Sequence, residues 1–473
     1  MKQTTKTLAG LLALVVVAGA IGGAALWATR DEARKAEQKE KSEKLFDFDK
    51  AKARALRLEK DGKLVAALTH ETSWKIVEPL KLDADDSALS SMLDQLSGLK
   101  QKKDLGDDKD AKAYGLSSPA LAVTVKLDDG KEQGLQIGVD NSFDNTLYVR
   151  KLGDSTIRII DGFVKSSFDK SLFDLREKKV AHLDDATEVK RIEVSGVKSP
   201  YTLEKDGAKW KLGAAEADSS TAERVQSSIK QLRANAIAAE SAVRLADFGL
   251  DKPKVTVKLV TGKDAFARTL LFGQHAEKLY ARRDDSPVVF EVDAQILKDL
   301  DKEPFELQDK SLVHADREAV RKIVFESGPA KIEVSRSKDA PADGGVAEES
   351  FAVVAPEKGA AKKWKISSAL YSITGLRATS FDGPVPRDLA KYGFDKPKTV
   401  TLLGEKDKLL ARVRIGAEKD GKRYVLSEGV DKLARVEKGH VDDLPWKLND
   451  ALETPPPALS LPDGGVAPAQ ASK

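Results

Sequence analysis

The sequence predicts an α+β protein: an N-terminal transmembrane helix followed by three tandem repeats, each a largely antiparallel sheet with an amphipathic helix. Three observations carry this expectation. A single long apolar run stands near the N-terminus, an aromatic-Gly-apolar-x-x-Pro turn occurs three times, and runs of short alternating strands surround one helical pattern in each copy.

Leu8 to Ala28 carries no charge. About 21 residues at roughly 1.5 Å each cover the ~30 Å hydrocarbon core of a bilayer. Trp27 stands at the far end, where an indole favours the interface, and Lys2 and Lys6 precede the run. A cleaved signal peptide is the alternative, because Ala18-Gly19-Ala20 and Gly22-Gly23-Ala24 suit a peptidase. The apolar region of such peptides is only about 7–15 residues, so residues 1–29 are read as an uncleaved anchor.

Orientation is pulled both ways. Lys2 and Lys6 favour a cytoplasmic N-terminus, whereas Arg30, Arg34, Lys35, Lys39, Lys41 and Lys44 favour the reverse. The N-terminal position of the anchor and the absence of cysteine favour export. The expectation is therefore a single-pass cell-membrane protein with its bulk outside the cytoplasm, in the periplasm. Residues 30–45 read as a charged helical stalk, with Asp31/Lys35, Glu37/Lys41 and Glu40/Lys44 at i,i+4 and no apolar seam for a coiled coil.

Beyond the stalk the chain repeats at about 130 residues, as module 1 (46–184), module 2 (185–315) and module 3 (316–452). Each opens with an alternating segment ending in Gly62, Gly196 or Gly328. Trp74-Lys75-Ile76, Trp210-Lys211-Leu212 and Trp364-Lys365-Ile366 then read as the end of a β-meander. A helix follows: Leu89, Met92, Leu93 and Leu96 in the first copy, Val225, Ile229 and Leu232 in the second, Leu370, Ile373 and Leu376 in a shorter third. Oxygens of Asp85, Asp86 and Ser87 offer an N-cap to the first.

The turns Tyr114-Gly115-Leu116, Phe248-Gly249-Leu250 and Tyr392-Gly393-Phe394, each closed by a proline three residues on, come next. Strands follow them, carrying Val123, Val125 and Leu127, then Val255, Val257 and Leu259, then Val400 and Leu402. Each unit then gives Ile137-Gly138, Phe272-Gly273 or Ile415-Gly416 and a strand bearing Tyr148, Tyr280 or Tyr424, and closes on a strand over Thr156 to Ile160, Val288 to Val292 or Leu433 to Val436. Within module 3, residues 337–350 read as a flexible insert, and the Pro/Ala/Gly tail over 453–473 as disordered.

The apolar span, the Leu45-Phe46-Asp47-Phe48-Asp49 opening, the Trp-x-aliphatic step followed by Pro79, and the three glycine turns together resemble the bacterial domain of unknown function 4340 (DUF4340), from Leu45 to about Leu452. That resemblance implies a single-span envelope protein associated with ABC transporters of the gliding-motility auxiliary type. It implies no catalytic residues.

Composition narrows the chemistry. With 79 basic against 76 acidic residues the net charge is +3, which argues against a nucleic-acid partner. No cysteine is available for disulfides, thiolate metal sites or nucleophilic catalysis. His70, His182, His275, His314 and His440 are scattered, and none forms a His-x-x-x-His pair. No phosphate loop, nucleophile elbow or dinucleotide fingerprint is present. Asp83, Asp85 and Asp86 read as cap residues rather than a cation loop, and Asp140, Asn141, Asp144 and Asn145 as turn formers. Trp74, Trp210 and Trp364 are candidate sugar platforms, but their alternation with lysine favours core packing. The basic loops at Lys100 to Lys103, Lys178-Lys179 and Lys362-Lys363 read as solvated faces.

No catalytic, cofactor-binding or metal site is expected. The expected function is a membrane-anchored, non-enzymatic interaction or accessory subunit. Its expected partners are inner-membrane lipid, through the N-terminal helix, and an ABC transporter permease or another envelope protein. The alternative is an envelope glycan- or peptide-binding protein with aromatic clefts between modules.

Overall fold

The structure, a computed structural model, describes residues 43–107, 110–141, 143–183, 186–242, 244–262, 266–339 and 348–453. The anchor over 1–29, the stalk up to residue 42, positions 340–347 of the insert and the tail from residue 454 lie outside the described residues. Among the described residues no helix is long and apolar enough to cross a membrane.

The first repeat is a nine-stranded antiparallel sheet. Its strands are β1 (Ala53–Lys60), β2 (Lys63–His70), β3 (Trp74–Glu78), β4 (Leu82–Asp83), β5 (Lys103–Asp107), β6 (Leu121–Leu127), β7 (Glu132–Asn141), β8 (Thr146–Lys151) and β9 (Thr156–Asp161). They lie in the order β4-β3-β2-β1-β6-β7-β8-β9-β5. Two four-stranded meanders thus meet where β1 pairs with β6. Because β4 and β5 stand at opposite ends of the sheet, the chain must cross it between them. Helix α1 (Asp86–Ser97) makes that crossing. Its apolar face, Leu89, Met92, Leu93 and Leu96, shares a core with Leu58 and Leu68 of the first meander and Val123, Val125, Ile137 and Val149 of the second. Residues alternate in and out along β6, as a period of two requires when one face is buried.

The same strand order recurs twice, over Val189 to Val292 around helix α2 (Ser219–Gln231) and over Lys322 to Glu437 around helix α3 (Lys363–Thr374). Val225 and Ile229 on α2, and Ile366, Leu370 and Ile373 on α3, are buried. By compactness the chain forms two units, one of Met1–Tyr201 with Arg224–Asp301 and one of Thr202–Glu223 with Lys302–Lys473.

The glycine turns lock each sheet in one way. Tyr114 meets Tyr148 edge-on at 4.8 Å between ring centres, Phe248 meets Tyr280 at 5.1 Å, and Tyr392 meets Tyr424 at 5.0 Å. Two glycines make the approach possible. Gly115 holds φ +68°, and a Cβ on Gly138 would stand 2.0 Å from the Tyr114 carbonyl oxygen. The Val139 N–H donates to that same carbonyl at 3.0 Å.

The third repeat departs from expectation in three places. Trp364 does not end a strand: it lies in the first turn of α3 and is 71% exposed. Phe351 takes the strand position instead, since its carbonyl accepts from Ala361 N–H as Trp74 accepts from Ala84 and Trp210 from Ala217. The Trp-Lys-Ile match was a coincidence of residue types one element too late. Nor is α3 shorter, at 12 residues against 12 for α1 and 13 for α2. Finally, the ends of the insert are strand, because Ala330–Asp339 and Glu348–Ala355 pair through Ser337 with Ser350 out to Asp339 with Glu348.

Candidate functional site

The linker after the first repeat is stitched on both sides. Glu177 N–H donates to the Asp83 carbonyl and Asp85 N–H to the Leu175 carbonyl, both at 2.8 Å. On its other side Val180 N–H reaches the Leu232 carbonyl at 2.9 Å and Ala234 N–H reaches that of Lys178 at 2.8 Å. Each backbone bond satisfies a group that would otherwise be buried unpaired. The start of α1 and the end of α2 are thereby held against one strip of chain.

Asp85 sits at the centre of this seam. It caps α1 by accepting from Ser87 and Ala88 N–H at 3.1 and 3.2 Å. Arg233, just beyond α2, donates to its other oxygen at 2.5 Å, and Lys178 stands 3.6 Å away. Burial opposes ionisation of Asp85, but the Ala88 N–H, the Arg233 guanidinium and Lys178 outweigh it and hold the carboxyl below the usual range. Lys178 is no solvated loop residue: it also donates to the Asp174 carbonyl at 2.8 Å.

A cleft of about 630 Å³ opens beside the seam. Strands β3 and β4, the linker and the segment 283–290 line it. Its apolar wall includes Val77, Leu80, Val288 and Phe290, of which Val77 and Leu80 are more than a third exposed. Most of its charges are paired. Arg176, buried, grips Glu240 with both nitrogens at 2.5 and 3.2 Å. Asp83 is bonded to Lys75 and lies 3.3 Å from His182 Nε2. Burial works against the Asp83 anion, yet the Lys75 hydrogen bond and the His182 and Arg283 charges hold its pKa below the ordinary value. An ionised, ion-paired carboxylate is a poor proton acceptor near neutrality. The cleft thus presents an apolar wall with charge on its flanks.

The other residues marked in the sequence are dispersed. Trp74 and Trp210 are buried in the core. His70 packs against Trp74, with ring centres 5.0 Å apart. Asp140 pairs with Lys165 at 2.7 Å, while Asp144 and Asn141 accept local bonds from Thr146 and Phe143, as turn residues do. The seam and its cleft were missed by sequence reading. A shared Lys-x-aliphatic-x-His pattern at Lys178 to His182 and Lys310 to His314 was the available signal.

Three copies of a nine-stranded antiparallel unit, each crossed by one helix, define a tandem-repeat protein of the α+β class. The chain belongs to the family described as Domain of unknown function (DUF4340), which matches it at residues 74–220, 212–350 and 352–460. No curated protein and no solved structure matches the chain.

Proposed function

We propose that this chain is a membrane-tethered, non-enzymatic interaction subunit of an envelope assembly, with an ABC transporter permease as the membrane partner. On this reading Leu8 to Ala28 anchors the chain and the repeats stand outside the cytoplasm. The observation that carries it is the cleft beside Asp85, whose exposed Val77 and Leu80 lie between ion pairs that already satisfy one another. Exposed apolar side chains rimmed by charge suit a protein surface or an extended peptide better than a reacting small molecule. The resemblance to transporter-associated envelope proteins supports the choice of partner.

A second reading, a peptide-binding envelope protein, is favoured by the same cleft, whose size admits a few side chains. Burial of Trp74 and Trp210 removes two of the three tryptophans as glycan platforms, and the exposed Trp364 lies on α3 and does not line this cleft.

The test is isolation of the tagged full chain from native membranes in mild detergent, followed by identification of what accompanies it. A membrane protein recovered with the wild type and lost from Leu80→Asp supports the proposal. Recovery of none, together with substrate turnover by the soluble repeats, overturns it.

A further inference from the structure

At the second seam Glu216, Asp309 and His314 converge, with one donor atom from each lying within 4.8 Å of the others. The backbone brings them together. Asp309 N–H donates to the Glu216 carbonyl at 3.2 Å and Ala217 is bridged to Gln308, so the strand end and the linker cannot drift apart. His314 Nδ1 then stands 3.9 Å from the Asp309 carboxylate.

The geometry points to a divalent transition-metal site of the zinc class at Glu216, Asp309 and His314. One imidazole nitrogen and two carboxylate oxygens suit such an ion with water completing the shell, whereas calcium and magnesium prefer oxygen alone. The three side chains are partly exposed, so small rotations close the donors onto a centre about 2 Å from each. Lys209 pairs with Glu216 at 2.6 Å and is itself 64% exposed, which leaves it free to swing into water when a cation arrives. The Asp309 oxygen bonded to Ser311 N–H at 2.9 Å is the other one from that facing His314. Lys310 and Arg377 are engaged by Asp218 rather than by this cluster.

A second observation is independent of that clustering. The corresponding positions of the first seam carry Asp83, Glu177 and His182, with the same backbone bond from Glu177 N–H to the Asp83 carbonyl at 2.8 Å. Two carboxylates and an imidazole therefore recur where consecutive repeats join. There Asp83 is taken by Lys75 as well as by His182, and among the described residues that trio does not close into a comparable three-donor group. A bound ion at the second seam would pin the linker to the strand end and lengthen the life of that junction. The inference does not depend on the proposed function.

Calorimetric titration of the full chain with Zn²⁺ at neutral pH tests it. One equivalent is expected to bind to the wild type and to His182→Ala, with affinity at least tenfold weaker in His314→Ala and in Asp309→Asn. Circular dichroism of each variant checks that it is folded. The assignment is overturned if zinc binds His314→Ala as it binds the wild type, if the wild type takes up none, if His182→Ala loses the site, or if Ca²⁺ competes on equal terms.

Discussion

Arg233 donates to the buried carboxylate of Asp85, and one repeat later Arg377 donates to Asp218 in the same way. In both pairs the acceptor is the residue that caps the helix of its own repeat. The donor follows the helix of the next. One carboxylate therefore accepts from the first free N–H groups of a helix start and from one full charge across a seam. The third repeat breaks the pattern: Lys362 caps α3 with no side-chain bond and turns instead to the Asn449 carbonyl at 2.6 Å. Here the C-terminal segment, through Leu452 paired with Ala361, takes the place that a linker holds in the earlier repeats.

Asp85→Ala removes the cap and the seam acceptor together, and should destabilise the local structure by about 2 kcal/mol. Amide exchange across α1 should accelerate roughly thirtyfold for a change of that size. Asp85→Asn keeps a capping oxygen and should shift exchange much less. Equal effects from the two variants would show that the ion pair, not the cap, dominates.

Asp218 makes the second seam acid-sensitive. Burial raises its pKa, but the Thr221 N–H, the Thr221 and Ser220 hydroxyls and the Lys310 charge prevail and lower it to about 2. A depressed carboxyl contributes fully above its unfolded value near 3.8 and loses that contribution as pH falls toward 2. Thermal unfolding should show constant stability of this seam from neutrality to about pH 4 and a decline below it. Asp218→Asn should be less stable at neutral pH and lack that declining limb.

The glycine turns predict a contrast between two substitutions. Gly138→Ala would drive a methyl into the Tyr114 carbonyl, whereas Gly130, at φ +83°, has nothing within 4 Å of its missing Cβ. Gly130→Ala should cost about 1 kcal/mol from backbone conformation alone. Gly138→Ala should cost more than about 2 kcal/mol and separate Tyr114 from Tyr148. Urea midpoints of the two variants, with near-ultraviolet circular dichroism to follow the tyrosine pair, check this.

Two of the three tryptophans that sequence reading equated should behave oppositely. Trp210 is 1% exposed, and its truncation to alanine should cost about 3–5 kcal/mol. Trp364 lies on the outer face of α3, and Trp364→Ala should change stability by no more than about 0.5 kcal/mol. Urea denaturation distinguishes them, and acrylamide should quench Trp364 fluorescence selectively.

Local pattern reveals much of this fold. The alternation at Val123, Val125 and Leu127 appears as an inward-facing strand, and Leu89, Met92, Leu93 and Leu96 appear as the buried stripe of α1. Both patterns arise because a strand or helix with one buried face must repeat its apolar residues at the period of its backbone. Phe351 escaped notice because its position is defined by a hydrogen bond to Ala361, which no periodicity encodes. Meanwhile Trp364-Lys365-Ile366 imitated the strand motif by composition alone.

What the amino-acid sequence determined by itself is the repeated unit: its threefold recurrence, one helix among short strands, and most of the side chains that enter the first two cores. The seams were decided only by tertiary structure. Asp85 and Arg233, or Glu216 and His314, lie far apart along the chain, and each reads singly as a cap or a surface group. Only when the linker is stitched between two repeats do Asp85 and Arg233 come within bonding distance and Glu216 and His314 within 4.8 Å, because sequence spacing carries no record of proximity in space.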